Sequence, residues 1–128
     1  MPIDHAGVAT TDADALVAQY GALFDVPVVH EETFDGMRLA FLDFGNAYLE
    51  VIEPVAETGP IASYLDRHGP GIHHLAIAVE DAAAALDRAR DLDVGLVDEQ
   101  PRPGAWGHDV AFLDPRDTGG VLLEFVEH

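Results

Sequence analysis

Four side chains, His5, Glu50, His74 and Glu124, have the types and the placement to share one divalent cation. Each sits inside a phrase that the chain uses twice. Ile3-Asp4-His5-Ala6-Gly7-Val8-Ala9 is echoed by Ile72-His73-His74-Leu75-Ala76-Ile77-Ala78, a shift of 69 residues (74 − 5). Ala40-Phe41-Leu42-Asp43 returns as Ala111-Phe112-Leu113-Asp114, a shift of 71, and Leu49-Glu50-Val51-Ile52-Glu53 as Leu123-Glu124-Phe125-Val126-Glu127, a shift of 74. Two imidazoles and two carboxylates suit a borderline ion such as Co²⁺, Mn²⁺, Zn²⁺, Ni²⁺ or Fe²⁺. A lone strand histidine is ordinarily structural and a lone strand glutamate ordinarily faces solvent. Four such residues at matching repeat positions argue instead for a site.

The flanking residues sharpen this. Alternation along a strand puts His74 on one face with Ala76 and Ala78, and leaves Leu75, Ile77 and Val79 for the other. His5 likewise shares its face with Gly7 and Ala9. Small neighbours are expected to leave room beside each imidazole. Glu50 and Glu124 interrupt apolar runs, Tyr48-Leu49-Glu50-Val51-Ile52 and Val121-Leu122-Leu123-Glu124-Phe125-Val126. A carboxylate buried in such a run costs several kcal/mol unless a cation or hydrogen bonds compensate. The chain offers six Arg and no Lys, so a divalent metal is an economical partner. His73 points away from His74 and reads as structural or supporting. His30, His68 and His128 have no constellation around them. His108, in Gly104-Ala105-Trp106-Gly107-His108, either borders a cleft or serves the loop.

The elements that must position these residues are short and alternate in type. Residues 3–9 read as a strand. Thr11 or Asp12 caps a helix to about Phe24, with Leu16, Val17, Tyr20, Leu23 and Phe24 on one face. Pro27–His30 is expected as a short strand, with Met37–Phe44 and Ala47–Ile52 as a pair around the Gly45-Asn46 turn. Pro60 opens a short connecting helix, Ile61–Arg67, and Gly69-Pro70-Gly71 ends it. The second copy then runs as strand 72–79, a helix from Ala82 to about Leu92 capped by Asp81, a short strand Gly95–Val97, and a final pair, His108–Leu113 and Val121–Glu127. The expected fold is α+β: two β-α-β-β-β modules, about residues 3–54 and 72–127, forming one curved mixed sheet, an open barrel around a metal-binding cleft, within a single domain spanning 1–128.

Composition narrows the function classes. At 128 residues and 48% apolar content the chain can bury a core. No apolar run approaches the roughly 18 to 20 residues needed to cross a bilayer, and Met1-Pro2-Ile3-Asp4-His5 does not open a signal peptide. The expectation is a cytoplasmic protein. With no Cys there is no thiolate chemistry. A net charge of −18 argues against nucleic acid or anionic membrane as a partner. The acids are scattered rather than blocked, which with the absence of Lys matches the hydrated surfaces of halophilic proteins.

The motifs resemble the vicinal oxygen chelate superfamily (glyoxalase, bleomycin resistance, dioxygenase), and within it the methylmalonyl-CoA epimerase family. Ile3-Asp4-His5, Gly45-Asn46, Leu49-Glu50-Val51-Ile52-Glu53-Pro54, Gly59-Pro60-Ile61-Ala62, Gly71-Ile72-His73-His74-Leu75-Ala76, Asp98-Glu99-Gln100-Pro101-Arg102-Pro103-Gly104-Ala105 and Gly119-Gly120-Val121-Leu122-Leu123-Glu124 follow its pattern over nearly the whole chain. The resemblance implies an isomerase that interconverts (R)- and (S)-methylmalonyl-CoA by 1,1-proton transfer through a metal-stabilised enolate. It places the metal ligands on His5, Glu50, His74 and Glu124, and makes Co²⁺ the expected ion. Where some bacterial members carry a Glu proposed as base, this chain has Leu39. Glu124 is therefore the expected base, with Glu50 opposite. A usual Gly-Ala-Gly-Gly-Lys reads Gly104-Ala105-Trp106-Gly107-His108, and a usual His-Pro-Lys reads Asp114-Pro115-Arg116. An acyl-CoA substrate in so acidic a chain calls for local arginine, from Arg38, Arg67, Arg102 or Arg116. A homodimer is permitted by analogy. The competing expectations are a glyoxalase I-like lyase, an extradiol-type dioxygenase, or a metal-free binding protein of the drug-sequestering kind.

Overall fold

The computed structural model describes all residues, Met1–His128. By its internal contacts the chain divides into one unit of His5–His73 and another of Met1–Asp4 with His74–His128. The first residues of the chain group with His74–His128, where Pro2 O accepts a hydrogen bond from Ala78 N at 2.9 Å.

The first unit contains strand β1 (Ile3–Ala9, from His5 onward), helix α1 (Ala13–Phe24), β2 (Val28–Phe34), β3 (Met37–Asp43), β4 (Tyr48–Pro54) and helix α2 (Pro60–His68). Its strand order is β2-β3-β4-β1, with β1 parallel to β4 and the other pairs antiparallel. Asp12 caps α1 by accepting from Ala15 N at 3.1 Å, as the sequence leads one to expect of an aspartate before an apolar helix. Leu42 and Val51 are fully buried beneath α1, with Leu16, Val17 and Tyr20 packed on them. Burying a side chain of this size contributes about 1.5 to 3 kcal/mol. β2 is longer than the expected Pro27–His30. It continues into a tight hairpin whose central residues, Asp35 and Gly36, have φ of 49° and 77°. An Asp-Gly pair supplies those positive values at little cost, and its turn matches the twist of the strands.

The second unit contains β5 (Gly71–Val79, from His74), helix α3 (Ala82–Asp91), β6 (Arg102–Pro103), β7 (Asp109–Phe112) and β8 (Leu123–Glu127). Its order is β5-β8-β7-β6, with β5 parallel to β8 and the rest antiparallel. Asp81 caps α3 on Ala84 N at 3.1 Å. Leu86, fully buried, packs with Ala89, Ala111 and Leu113. The strand expected at Gly95–Val97 is reduced to an isolated bridge between Leu96 and Leu113. The strand that pairs with β7 is instead the two-residue β6. Gly104 follows it because a Cβ there would lie 2.7 Å from Val110 Cγ1. No helix is long and apolar enough to cross a membrane.

Candidate functional site

In the first unit, His5 on β1 approaches Glu50 on β4, Nε2 to Oε1 at 3.3 Å. The parallel register places Gly7 beside Glu50, and the antiparallel register places Phe41 across from it. All of these side chains therefore share one face of the sheet. The Phe41 ring stands edge-on to His5, centroids 5.5 Å apart at 85°. His5 is 4% exposed and Glu50 5%. Leu39, opposite Ile52 and thus on the same face, is also buried.

The second unit repeats this almost to the ångström. His74 on β5 approaches Glu124 on β8, Nε2 to Oε1 at 3.6 Å. Both are buried. Phe112 pairs with Glu124 across β7 and β8, and its ring stands edge-on to His74 at 5.6 Å and 85°. The structure thus brings His5 to Glu50 and His74 to Glu124. It adds Phe41 and Phe112, which residue-type reasoning passed over although both lie in a repeated phrase, Ala-Phe-Leu-Asp. An apolar ring against each imidazole fixes its orientation and dries the contact.

Ile77 and Val79 pack beneath α3 as alternation requires, while on the His74 face Ala76 is fully buried against Val110 and Val126.

The outer glutamates of the repeat hold the helices. Glu53 Oε1 accepts from Ala13 N and Glu127 Oε1 from Ala82 N, each at 2.8 Å. A carboxylate at a helix N-terminus satisfies an otherwise orphaned N–H and complements the dipole. Each helix is thus tied to the strand that carries the inner glutamate.

Three histidines expected to stand apart have company. His30 Nε2 lies 3.2 Å from Glu32 Oε1, and its ring is 6.1 Å from Phe41. His128 contacts Asp4 through its Nε2 and lies 3.9 Å, ring to ring, from His108. His68 lies beside Tyr64, as does His73. These contacts are tertiary, which is why spacing did not announce them. His108 also stacks on Trp106, whose φ of 61° is left-handed. A bulky residue in that region costs about 1 to 2 kcal/mol. It stands where the resembling family writes glycine.

The surface arginines mostly answer nearby acids. Asp14, first by hydrogen bond and then by charge, raises the Arg38 guanidinium above its usual range, with Glu53 adding to it. Arg116 holds the Asp114 carboxyl below the usual carboxylate range through side-chain and backbone hydrogen bonds.

The chain matches the Glyoxalase/Bleomycin resistance protein/Dioxygenase superfamily over residues 4–112. It is 34% identical to the ethylmalonyl-CoA/methylmalonyl-CoA epimerase of Cereibacter sphaeroides, across 95% of this chain and 94% of that protein. It superposes on the crystal structure of methylmalonyl-CoA epimerase from Mycobacterium tuberculosis with a TM-score of 0.93 and 38% identity, over 98% of this chain and 87% of that one. A methylmalonyl-CoA epimerase in complex with methylmalonyl-CoA and NH4⁺ gives 0.92 and 36%, over 98% and 93%. With its paired β-α-β-β-β halves and buried His–Glu pairs, the chain belongs to the glyoxalase/bleomycin resistance/dioxygenase superfamily.

Proposed function

We propose that the protein is a metal-dependent epimerase that interconverts (R)- and (S)-methylmalonyl-CoA, with His5, Glu50, His74 and Glu124 holding one divalent ion. The carrying observation is the doubled buried pair, His5–Glu50 and His74–Glu124. Two carboxylates buried in an arginine-poor, lysine-free chain call for a cation, and a His₂Glu₂ donor set fits a borderline divalent one. The relatives named for methylmalonyl-CoA epimerisation, matched along nearly the full chain, support the same assignment. In this proposal the two halves work as one domain, and Co²⁺ is the ion first to be tried.

Methylmalonyl-CoA carries an acidic C–H between a carboxylate and a thioester carbonyl. The bound ion would supply Lewis-acid stabilisation of the negative charge that develops when this proton leaves. Glu124 takes the proton from one side of that carbon. Glu50, carrying a proton in this step, stands as the partner acid that returns it to the other side, so the centre inverts, and exchange with solvent resets both carboxyls. Phe41 and Phe112 keep both histidines oriented and exclude water from the imidazoles. Leu39 offers no carboxylate, so the proton work falls to the repeat's own glutamates.

The test follows a single stereoisomer of methylmalonyl-CoA in deuterated water. Racemisation with deuterium incorporation at C2, abolished by a chelator and restored by Co²⁺, is the expected result. Racemisation unaffected by exhaustive chelation would overturn the metal assignment. Absence of any C2 exchange in the Co²⁺-loaded protein would overturn the epimerase assignment. A Glu124→Gln protein that retained full exchange would remove Glu124 as base.

A further inference from the structure

We infer that Arg102 is the anion anchor of this site, the cation that receives an oxyanion of the acyl-CoA substrate; this rests on the function proposed above. Four arginines were open to that role on sequence, and the structure separates them. Arg38 commits its Nη2 to Asp14 at 2.7 Å and leans its Nη1 towards Glu53. Arg116 closes on Asp114 through both Nε and Nη2. Arg67 lies in the last turn of α2, where a cation complements the helix carbonyls.

Arg102 is built differently. Its Nε donates to Asp98 Oδ1 at 2.9 Å, and its guanidinium carbon lies 5.6 Å from the centre of the Phe112 ring. Asp98 is itself fixed, because its Oδ2 accepts from Phe112 N at 2.9 Å and its own N–H donates to Phe112 O. The guanidinium is therefore oriented by one hydrogen bond and one ring face, while neither terminal amino group is used by the protein. It remains half-exposed, at 46%. The ring beneath it is the one that stands edge-on to His74. A pre-oriented fork of N–H donors is the arrangement that receives carboxylate or phosphate oxygens in bidentate fashion. Placing it one aromatic ring from a metal-site histidine in a chain of net charge −18 gives an anionic substrate a local cation.

An acyl-CoA presents that chemistry from two sources, the acyl carboxylate and the CoA phosphates. Calorimetric titration of wild type and Arg102→Gln with methylmalonyl-CoA, propionyl-CoA and CoA separates them. The expected result is an affinity loss of about tenfold or more in the variant, weakened in both proteins by added salt. Loss confined to methylmalonyl-CoA assigns the acyl carboxylate, and loss shared by all three ligands assigns the phosphates. Affinities within about twofold of wild type for all three would overturn the proposal. Should Arg102→Gln fail to fold, the side-chain N–H resonances of Arg102 in the wild-type protein decide. They shift on saturation with methylmalonyl-CoA if Arg102 is the anchor, and stay unchanged if it is not. The two proposals fail separately. Arg102-dependent binding without C2 proton exchange sinks the epimerase and leaves the anchor. Epimerisation and binding indifferent to Arg102→Gln sink the anchor and leave the epimerase.

Discussion

The two halves of the molecule are alike where chemistry is set and unlike at their margins. Each has an aspartate cap, an outer glutamate on the first helical N–H, a His–Glu contact and a phenylalanine edge-on to the histidine, and the paired distances agree within a few tenths of an ångström. The strand beyond each phenylalanine differs. In the first half it is the seven-residue β2, whose His30 backs Phe41. In the second it is the two-residue β6, whose permanently charged Arg102 backs Phe112. The repeat keeps the geometry of the strands that carry the paired His and Glu, where a shift of one residue would turn every side chain to the other face. The sheet margins carry no such constraint and have diverged into different electrostatic surroundings. An asymmetric substrate, anionic at particular points, would exploit that asymmetry.

The comparison breaks most visibly at the histidines. If both halves serve one ion, His5→Ala and His74→Ala each lower activity by at least about a hundredfold, and wild type binds one Co²⁺ per chain in a titration. Two independent equivalents per chain would mean that each half holds its own ion.

Core packing gives the next largest effect. Leu42→Ala and Leu86→Ala each empty a fully buried position, one under α1 and one under α3. Each is expected to cost about 2 to 5 kcal/mol in denaturant unfolding. A loss below about 1 kcal/mol in either would show that its half repacks freely.

The outer glutamates should behave unequally. Glu53 faces Arg38 across the β3–β4 register, whereas Glu127 faces Asp109 across β7–β8. Glu53→Gln is expected to cost about 1 kcal/mol, losing dipole and ion-pair attraction, and Glu127→Gln less, because it also relieves a like-charge neighbour. The reverse order in thermal unfolding would contradict the assigned roles.

The smallest effect is a pH dependence. Arg116 depresses the Asp114 carboxyl in the folded state, so this contact stabilises above the ordinary carboxylate range and is lost as pH falls through the depressed value. Asp114→Asn should therefore lower stability slightly at neutral pH, converge with wild type well below about pH 4, and so flatten the acid limb of the stability curve. An unchanged acid limb would show that the exposed pair contributes nothing measurable, as many surface pairs do not.

Much of this was legible in the chain. The repeated phrases located both His–Glu pairs, since ligand type and strand alternation are local properties. The aspartate caps were readable because a cap is set within four residues. The Asp35-Gly36 pair is an equally local turn signal, and it lets β2 run past the expected Pro27–His30 to Phe34. The second-half margin was not readable. Gly95–Val97 has the look of a strand but only one bridge forms, and the pairing strand is Arg102–Pro103, chosen by how the loop crosses β7 rather than by any propensity.

Sequence by itself determined the elements, the two faces of each strand and the donors projecting from them, because backbone periodicity and side-chain chemistry are properties of short stretches. Tertiary structure decided the partners. Contacts such as Glu53 with Ala13 N or Asp98 with Phe112 N join residues 40 and 14 positions apart. Their existence depends on register and on how loops close, which no local pattern encodes. That level also chose among the arginines, tying Arg38 and Arg116 to nearby acids and leaving the fork of Arg102 oriented and open.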